Sequence, residues 1–307
     1  MLTIGGRSRA QQISELVVRL EEQFAVQQPS VVIVQGDTNT ALGGALAANA
    51  MEIPLAHVEA GLRSFDRRMP EEHNRVVADH LADVCLAPTE QARDNLLAEA
   101  IPPSRIAVTG NTVVDVACRL LPEAGDRANL VAELGLRAGA FVLATFHRPE
   151  NVDDAERLGL LLEHLAGLDL PVLFPVHPRT RQRIQTFGFD GKAKGVHMVA
   201  PLGYKAFLGL AAECAFLLSD SGGIQEEASV VKRPAIVVRR STERPEVLGT
   251  FATLIPRITD LPSVAGRLID RLDDTHRRLM ELPSPYGDGH ASARCVQHVA
   301  LLLRAGA

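Results

Sequence analysis

The chain has 307 residues, 46% hydrophobic and 22% charged, which is enough for two domains with apolar cores. Its net charge of −5 and the lack of any Lys/Arg block argue against a nucleic-acid-binding protein. No run of 18 uncharged apolar residues occurs and the four cysteines form no CxxC pair, so we expect free thiols, no membrane span and a cytoplasmic location.

Short β-branched runs alternate with helical patterns along nearly the whole chain, which is typical of parallel sheets covered by helices. After a helix predicted over Ala10–Phe24, the first strands are Val31–Gln35, Leu55–Val58, Val84–Ala87 and Ile106–Thr109. The stretch Leu121–Arg137 contains no strand pattern. The second set of predicted strands is Phe141–Thr145, Val172–Val176, His197–Val199, Phe216–Ser219, Ala235–Val238 and Ala252–Ile255.

This pattern predicts an α/β protein with two Rossmann-like domains. The first covers residues 1–118 and the second residues 119–284, while residues 285–307 form a helix expected to pack back on the first domain. Two such domains facing each other predict a ligand in the cleft between them, at the carboxyl ends of the strands. Polar residues follow five predicted strands, which supports this placement: Asp37, Glu59, His147, His177 and Ser221.

In the first domain, three polar segments follow strands or open helices. Asp37 is either a helix cap or a cleft carboxylate. Glu59 and Arg63 lie in HVEAGLR, which is read as either an internal ion pair or a functional strand end. Glu71 opens a helix after Pro70, where helix-dipole effects alone also favour an acid.

In the second domain, the segment SDSGGIQEE is the strongest signal. Ser221, Gly222 and Gly223 connect a buried strand to a helix, leaving amide groups unpaired at a positive helix end, where an anion such as a diphosphate binds. Glu227 lies within reach of a ribose if that anion is a nucleotide. His147 with Arg148 suits a departing anion, and Arg244 lies in a second polar segment. His177 is a weaker candidate for the cleft or a second site.

Several common sites are not predicted. His73 and His80 are seven residues apart without an HExxH pattern, so we predict no metal site. GxGxxG, GxxxxGK[ST] and GxSxG are also missing from the sequence, which argues against a dinucleotide fingerprint, a P-loop and a serine nucleophile elbow.

Taken together, eight segments resemble the non-hydrolysing UDP-N-acetylglucosamine 2-epimerases of bacteria. They occur in order along nearly the whole chain: QGDTNT, HVEAGLRSFDRRMPEEHNR, APTEQARDNLL, TGNTVVDV, HRPEN, SDSGGIQEEAS, TERPE and SPYGDG. The resemblance implies the two-domain glycosyltransferase-B architecture, a homodimer, and interconversion of UDP-GlcNAc and UDP-ManNAc, which supplies surface polysaccharides.

The resemblance also implies a mechanism without metal or redox cofactor. Anti elimination of UDP gives 2-acetamidoglucal, and UDP adds back after protonation of C2 from the other face. Asp37, Glu59 and Glu71 match the family's catalytic carboxylates, with the base not assigned among them, and Glu227 matches its ribose-binding acid. His147 is expected to be a catalytic residue that acts on the departing diphosphate. Arg148, Arg244, Ser221, Gly222 and Gly223 are expected to bind UDP, with Arg63 as a further substrate contact.

The start of the chain departs from the family pattern. The family begins with a strand and a Gly-Thr-Arg-Pro-Glu turn, whereas this chain runs from Met1 into the first predicted helix. We therefore expect an incomplete first domain, from either a truncated reading or a naturally shortened relative. Two alternatives stay open: a nucleotide-sugar glycosyltransferase or hydrolysing epimerase of similar fold, and an inactive nucleotide-sugar-binding protein.

Overall fold

A computed structural model describes residues 6–189, 191 and 194–305, so that the divergent start, Met1–Gly5, lies outside the described residues. The chain divides into two compact units. The first contains the residues up to Asp115 and those from Tyr286 onward, and the second is Val116–Pro285. The predicted domain boundaries, after residues 118 and 284, fall within three residues of these divisions.

The first unit is built on a four-stranded parallel sheet in the sequential order β1-β2-β3-β4. Its strands are β1 (Val32–Gln35), β2 (Leu55–Val58), β3 (Val84–Ala87) and β4 (Ile106–Val108). The helices that accompany them are α1 (Arg9–Gln27), α2 (Asn39–Ala50), α3 (Pro70–Leu81), α4 (Glu90–Ala98) and α5 (Thr112–Leu120).

Both faces of this first sheet are covered by apolar side chains. Neighbouring residues of a strand point to opposite faces. Accordingly, Leu55 and Cys85 belong to one buried cluster, whereas Ala56 and Val84 belong to another. The second cluster is completed by the last helix of the chain, Ala291–Ala305, through Cys295 and Val299. This helix therefore packs on the first sheet although it follows the second unit in sequence.

The second unit is built on a six-stranded parallel sheet. Its strands are β5 (Val142–Thr145), β6 (Val172–Pro175), β7 (Val196–Val199), β8 (Phe216–Ser219), β9 (Ala235–Val238) and β10 (Ala252–Ile255). Its helices are α6 (Ala124–Glu133), α7 (Pro149–Val152), α8 (Ala155–Ala166), α9 (Pro178–Thr186), α10 (Tyr204–Glu213), α11 (Gly223–Val231), α12 (Leu261–Ile269) and α13 (Leu272–Glu281). The last helix of the chain, which belongs to the first unit, is α14 (Ala291–Ala305).

The strand order of the second sheet, β7-β6-β5-β8-β9-β10, determines where a ligand is expected. The chain winds one way from β5 to β7 and the other way from β8 to β10. Open parallel sheets bind ligands beyond the carboxyl ends of the strands at the point where this order reverses. In this unit that point lies between β5 and β8, which pair directly through Thr145 and Ser219.

The predicted α/β class with two parallel sheets is confirmed. All ten predicted strands are present, and their ends differ from the structure by at most one residue. The first helix extends further than predicted, to Gln27, with a side-chain cap at Ser8. None of the helices in the described part of the chain combines the length and apolar character needed to cross a bilayer.

Candidate functional site

The ends of β1 and β2 bring two carboxylates to one arginine. Arg75, on α3, donates from Nη2 to Oδ2 of Asp37 at 2.5 Å. Both of its terminal nitrogens also lie 3.3 Å from Oε2 of Glu59, and Nη1 donates to the carbonyl oxygen of Glu59. Arg75 is almost completely buried, whereas the carboxylates are partly exposed. We call Asp37, Glu59 and Arg75 the carboxylate group.

The backbone at Glu59 is unusual for a residue with a side chain, because its φ angle is +69°. This left-handed conformation costs an L-residue about 1–2 kcal/mol and is commonly retained at functional positions. Gly36 leaves space for the resulting side-chain position, since a Cβ atom there would lie 3.0 Å from Oε2 of Glu59. Asn111 donates from Nδ2 to Oε1 of Glu59 at 3.3 Å. The local structure therefore fixes the Glu59 carboxylate from several sides.

A buried ionic network lies next to the carboxylate group. Asp79 accepts from His57 Nδ1 at 2.6 Å and pairs with Arg63 Nη2 at 2.7 Å. Arg63 also donates two hydrogen bonds to Glu99, of 2.7 and 2.6 Å. Burial alone would raise the pKa of Asp79, but His57 and Arg63 lower it below its ordinary value, so the carboxylate is ionised.

The predicted role of Arg63 as a substrate contact does not fit this network. Its side chain is 0% exposed, and its guanidinium donates to Glu99 and the carbonyl oxygen of Leu62 while pairing with Asp79. Burial opposes the charge, yet these partners raise the pKa of Arg63 above its ordinary value. Of the two interpretations of HVEAGLR, the internal ion pair describes Arg63, whereas Glu59 stays a candidate functional residue at the strand end.

The two acids that open α3 have different surroundings. Glu72 is buried and accepts from the backbone of Ser64 and Phe65, so it stabilises the loop before the helix. Glu71 is partly exposed and has no hydrogen bond or ion pair among the residues described. Glu71 thus stays a candidate for proton transfer, but it is not joined to the carboxylate group.

In the second unit, Asp220 joins the ends of β5 and β8. Its buried carboxylate accepts from the backbone amides of His147, at 3.1 Å, and Arg148, at 3.0 Å. It also accepts from Asn151 Nδ2 at 3.0 Å. These bonds hold the HRPEN segment against the Ser219–Gly223 turn, at the point where the strand order reverses. The predicted residues His147, Arg148 and Ser221 therefore share one edge of this sheet.

The side chains at this edge are suited to an anion. Nε of Arg148 is buried and has no hydrogen-bond partner in the described residues. The ring of His147 lies 5.6 Å from that of His177, between ring centres. Burial lowers the pKa of His147 below its ordinary value, and Asp220 opposes this effect while Arg148 and His177 add to it. A bound anion would oppose this shift by favouring the protonated ring.

The Gly222–Gly223 turn opens α11 and is packed against arginine. Helix geometry leaves the amides of Gly222 and Gly223 without acceptors inside the helix. A Cβ atom at Gly222 would lie 2.8 Å from Nη1 of Arg244. Arg244 itself is held by Glu226, 3.1 Å from its Nε, and by Glu243. The arginine is therefore next to the turn, with its charge already partly balanced.

Glu227 is buried one turn into α11, where its carboxylate bonds with the hydroxyl of Tyr204. Burial raises the pKa of Glu227, and the bond to Tyr204 opposes this shift. Glu243, in contrast, lies in a cationic environment. Burial would raise its pKa, but Arg239 and Arg244 lower it to about 2. Unlike Glu226 and Glu243, Glu227 therefore has no arginine among its bonded partners in the described structure.

Comparison with known proteins identifies the family. Residues 1–300 match the model of the UDP-N-acetylglucosamine 2-epimerase family. The chain belongs to this family. The UDP-N-acetylglucosamine 2-epimerase of Methanocaldococcus jannaschii is 38% identical over 96% of this chain and 82% of its own length.

A solved structure of the same relative and one further epimerase show how far the likeness extends. The crystal structure of the M. jannaschii enzyme in complex with UDP-GlcNAc and UDP superposes with a TM-score of 0.85 at 38% identity, over 98% of this chain and 83% of the other. The UDP-2,3-diacetamido-2,3-dideoxy-D-glucuronate 2-epimerase of Pseudomonas aeruginosa is 34% identical over 98% of this chain and 83% of its own length. The predicted family is confirmed, and it favours an epimerase over a glycosyltransferase of similar fold.

In this epimerase, the sequence did not indicate the roles of several residues that lie near the carboxyl ends of the strands in each sheet. Arg75 was visible in the PEEHNR segment, but nothing local indicated that it joins Asp37 to Glu59. Asp220 was visible within the SDSGG segment, yet its bonds to the HRPEN segment connect residues more than 70 positions apart. The ionic partners Glu226 and Glu243 could be found only once Arg244 was placed.

Proposed function

We propose that this chain interconverts UDP-N-acetylglucosamine and UDP-N-acetylmannosamine by inverting C2 of the sugar, without releasing free sugar. The observation that carries the proposal is the carboxylate group, in which Arg75 holds Asp37 and Glu59 at the ends of neighbouring strands. Family membership and the named activity of the M. jannaschii relative support the same reaction.

The chemistry explains why carboxylates and an anion site are both needed. The C2 proton is not acidic while the diphosphate remains attached to C1, because no carbonyl group is attached to C2. In the proposed step the C1–O bond breaks, UDP leaves, and a carboxylate takes the C2 proton as the C2–H electrons form the C1–C2 double bond. Protonation of C2 on the other face and return of UDP to C1 give the epimer.

We assign the proton transfers to Asp37, Glu59 and Glu71, without choosing the base among them. Arg75 keeps two carboxylates close together by compensating part of their charge, and a partly exposed carboxylate remains able to exchange protons. The reacting sugar carbon is thus handled by side chains of the first unit.

The diphosphate is assigned to the edge of the second unit. The amides of Gly222 and Gly223, the guanidinium of Arg148 and the imidazole of His147 supply donors and positive charge for the leaving group. Arg244 lies beside the turn and Glu227 is the candidate partner of the ribose hydroxyls. The homodimer implied by the resemblance stays a prediction, which sedimentation of the purified protein measures.

Product analysis tests the proposal. The protein is incubated with UDP-GlcNAc and no acceptor, and the mixture is followed by proton NMR. We expect UDP-ManNAc to accumulate to a constant ratio. Free ManNAc would indicate a hydrolysing enzyme, and unchanged substrate despite UDP binding would indicate an inactive binding protein. UDP-2,3-diacetamido-2,3-dideoxy-D-glucuronate is assayed in parallel, because one relative is named as the 2-epimerase of this compound.

A further inference from the structure

Asp79 makes its contacts on both sides of Glu59 in the sequence. Through Oδ1 it holds His57, two residues before Glu59, and through Oδ2 it accepts from the amide of Gly61, two residues after it, at 3.2 Å. The strained backbone of Glu59 therefore lies between two points that one buried carboxylate fixes. A hydrogen-bonded anchor on each side is what keeps such a conformation in place.

The same carboxylate also acts on the neighbouring strand through His57. Nε2 of His57 is 2.9 Å from the carbonyl oxygen of Gly36, the residue before Asp37. A carbonyl oxygen can only accept, so the bond to Gly36 is donated by Nε2 of His57. The chain of bonds from Asp79 through His57 to Gly36 thus links the backbone next to Asp37 with the backbone next to Glu59.

The position of Asp79 on α3 matches this arrangement. It follows Arg75 by four residues, so that both lie on the same face of the helix. Arg75 binds the side chains of Asp37 and Glu59. Asp79 binds the amide of Gly61 directly and reaches the carbonyl oxygen of Gly36 through His57. The same face of α3 therefore carries the residue that binds the two carboxylates and the residue that bonds to the backbone next to Glu59.

We propose that Asp79, with His57, is a positioning residue for the epimerisation: it holds Asp37 and Glu59 in the geometry needed for proton transfer and does not touch the substrate. This inference rests on the proposed function. Supporting groups of this kind alter the rate of chemistry more than substrate binding, because an error of about 1 Å in the reacting groups slows a reaction about 100-fold.

The network contains a matched control. Glu99 pairs with the same Arg63, but it bonds neither to the backbone beside Asp37 nor to that beside Glu59 in the described structure. Asp79→Asn and Glu99→Gln each remove one carboxylate charge from one network. Both changes are expected to lower the free energy of unfolding, whereas only the first loosens the carboxylate group.

The test compares kcat and KM for UDP-GlcNAc, with UDP affinity as the check of folding. For Asp79→Asn we expect kcat to fall about 10- to 100-fold while KM changes less than about threefold. His57→Gln removes the ring that joins Asp79 to Gly36 and leaves the bonds of Asp79 to Gly61 and Arg63, so it is expected to show the same selective loss. Glu99→Gln is expected to keep kcat within about threefold.

The outcomes separate this inference from the proposed function. If wild-type protein does not epimerise UDP-GlcNAc, the proposed function fails. If wild type is active but folded Asp79→Asn or His57→Gln retains as much kcat as Glu99→Gln, the positioning role is wrong and the network only stabilises the fold. A parallel loss of kcat in Asp79→Asn and Glu99→Gln would also reject it.

Discussion

Nη2 of Arg75 lies 2.5 Å from Oδ2 of Asp37, which connects the middle of α3 to the end of β1. The same guanidinium contacts Glu59 at the end of β2, so a single buried cation compensates two carboxylates. Without it, the two acids would repel each other at the place where the proposed chemistry needs them together. This group and the proposed anion site of the second unit can each be tested by substitution.

Replacing Arg75 by Lys is expected to lower kcat about 100-fold, although the charge is kept. An ammonium group is a point charge on a flexible stem and cannot bond in a fixed plane to Asp37, the Glu59 carboxylate and the Glu59 carbonyl together. Steady-state rates of UDP-ManNAc formation measure the change. The control is Arg68→Lys, because Arg68 is an exposed arginine that forms an ion pair with Asp66 and is not among the partners of Asp37 or Glu59 in the bonds that define the carboxylate group. Equal rates in the two variants would show that planarity at Arg75 is unimportant.

Glu59→Gln is expected to abolish epimerisation and to leave UDP affinity within about threefold of wild type. The amide keeps the size and shape of the side chain and one of its two acceptor oxygens, but it cannot take up a proton from C2. Calorimetric titration with UDP gives the affinity. Glu52→Gln is the matched control, since Glu52 is also a glutamate with positive φ but is exposed. If UDP affinity falls in proportion to the rate, Glu59 is a structural ion-pair member.

Gly222→Ala is expected to weaken UDP binding at least about tenfold with little loss of stability. The new methyl group would lie 2.8 Å from Nη1 of Arg244, and the end of that side chain must move away from the turn. Titration with UDP and thermal unfolding measure the two effects. Gly125→Ala, in a helix of the same unit with open space at the Cβ position, is the control. Unchanged UDP affinity in Gly222→Ala would show that Arg244 does not contribute to the anion site.

UDP affinity is expected to increase several-fold as the pH falls below 6.5, the ordinary pKa of histidine. Burial lowers the pKa of His147, so the ring is neutral above this pH and gains a charge that favours the diphosphate below it. Titrations between about pH 5.5 and 8 on wild type and His147→Asn measure the effect, and protonation of UDP itself cancels in their ratio. Parallel curves of UDP affinity against pH for the two proteins would show that His147 does not contribute to the anion site.

The lowered pKa of His147 has the opposite effect on folding, because acidic pH lowers the free energy of unfolding while it strengthens UDP binding. Because the folded protein favours the neutral ring, the contribution of His147 to the free energy of unfolding is complete above pH 6.5. It is lost as the pH falls through the lowered folded-state pKa. Bound UDP should therefore offset part of the acid destabilisation in wild type, and less of it in His147→Asn.

The strands and their polar ends could be predicted from the sequence because both depend on local patterns. Leu55–Val58 is a strand buried on both faces and apolar except for His57, and Glu59 follows it directly, so strand and candidate residue come from one short segment. The same holds for Phe216–Ser219 and the Gly222–Gly223 turn. Parallel topology then places such residues at one edge of each sheet.

The roles of the charged residues near these ends could not be predicted in the same way. Arg63 and Arg75 both follow Glu59 within sixteen residues, yet one is enclosed by Asp79 and Glu99 and the other reaches Asp37. The difference depends on which side of α3 and α4 faces the sheet, which is set by tertiary packing. Sequence spacing alone does not encode that choice.

Hydrogen exchange at C2 during turnover in D2O tests the central claim most directly, since it reports proton transfer at the reacting carbon. We expect UDP-ManNAc, and UDP-GlcNAc recovered at equilibrium, to carry deuterium at C2, and Glu59→Gln to show none while still binding UDP. UDP-ManNAc formed with its C2 hydrogen retained would contradict proton transfer by these carboxylates, and so would bound UDP-GlcNAc that never acquires deuterium.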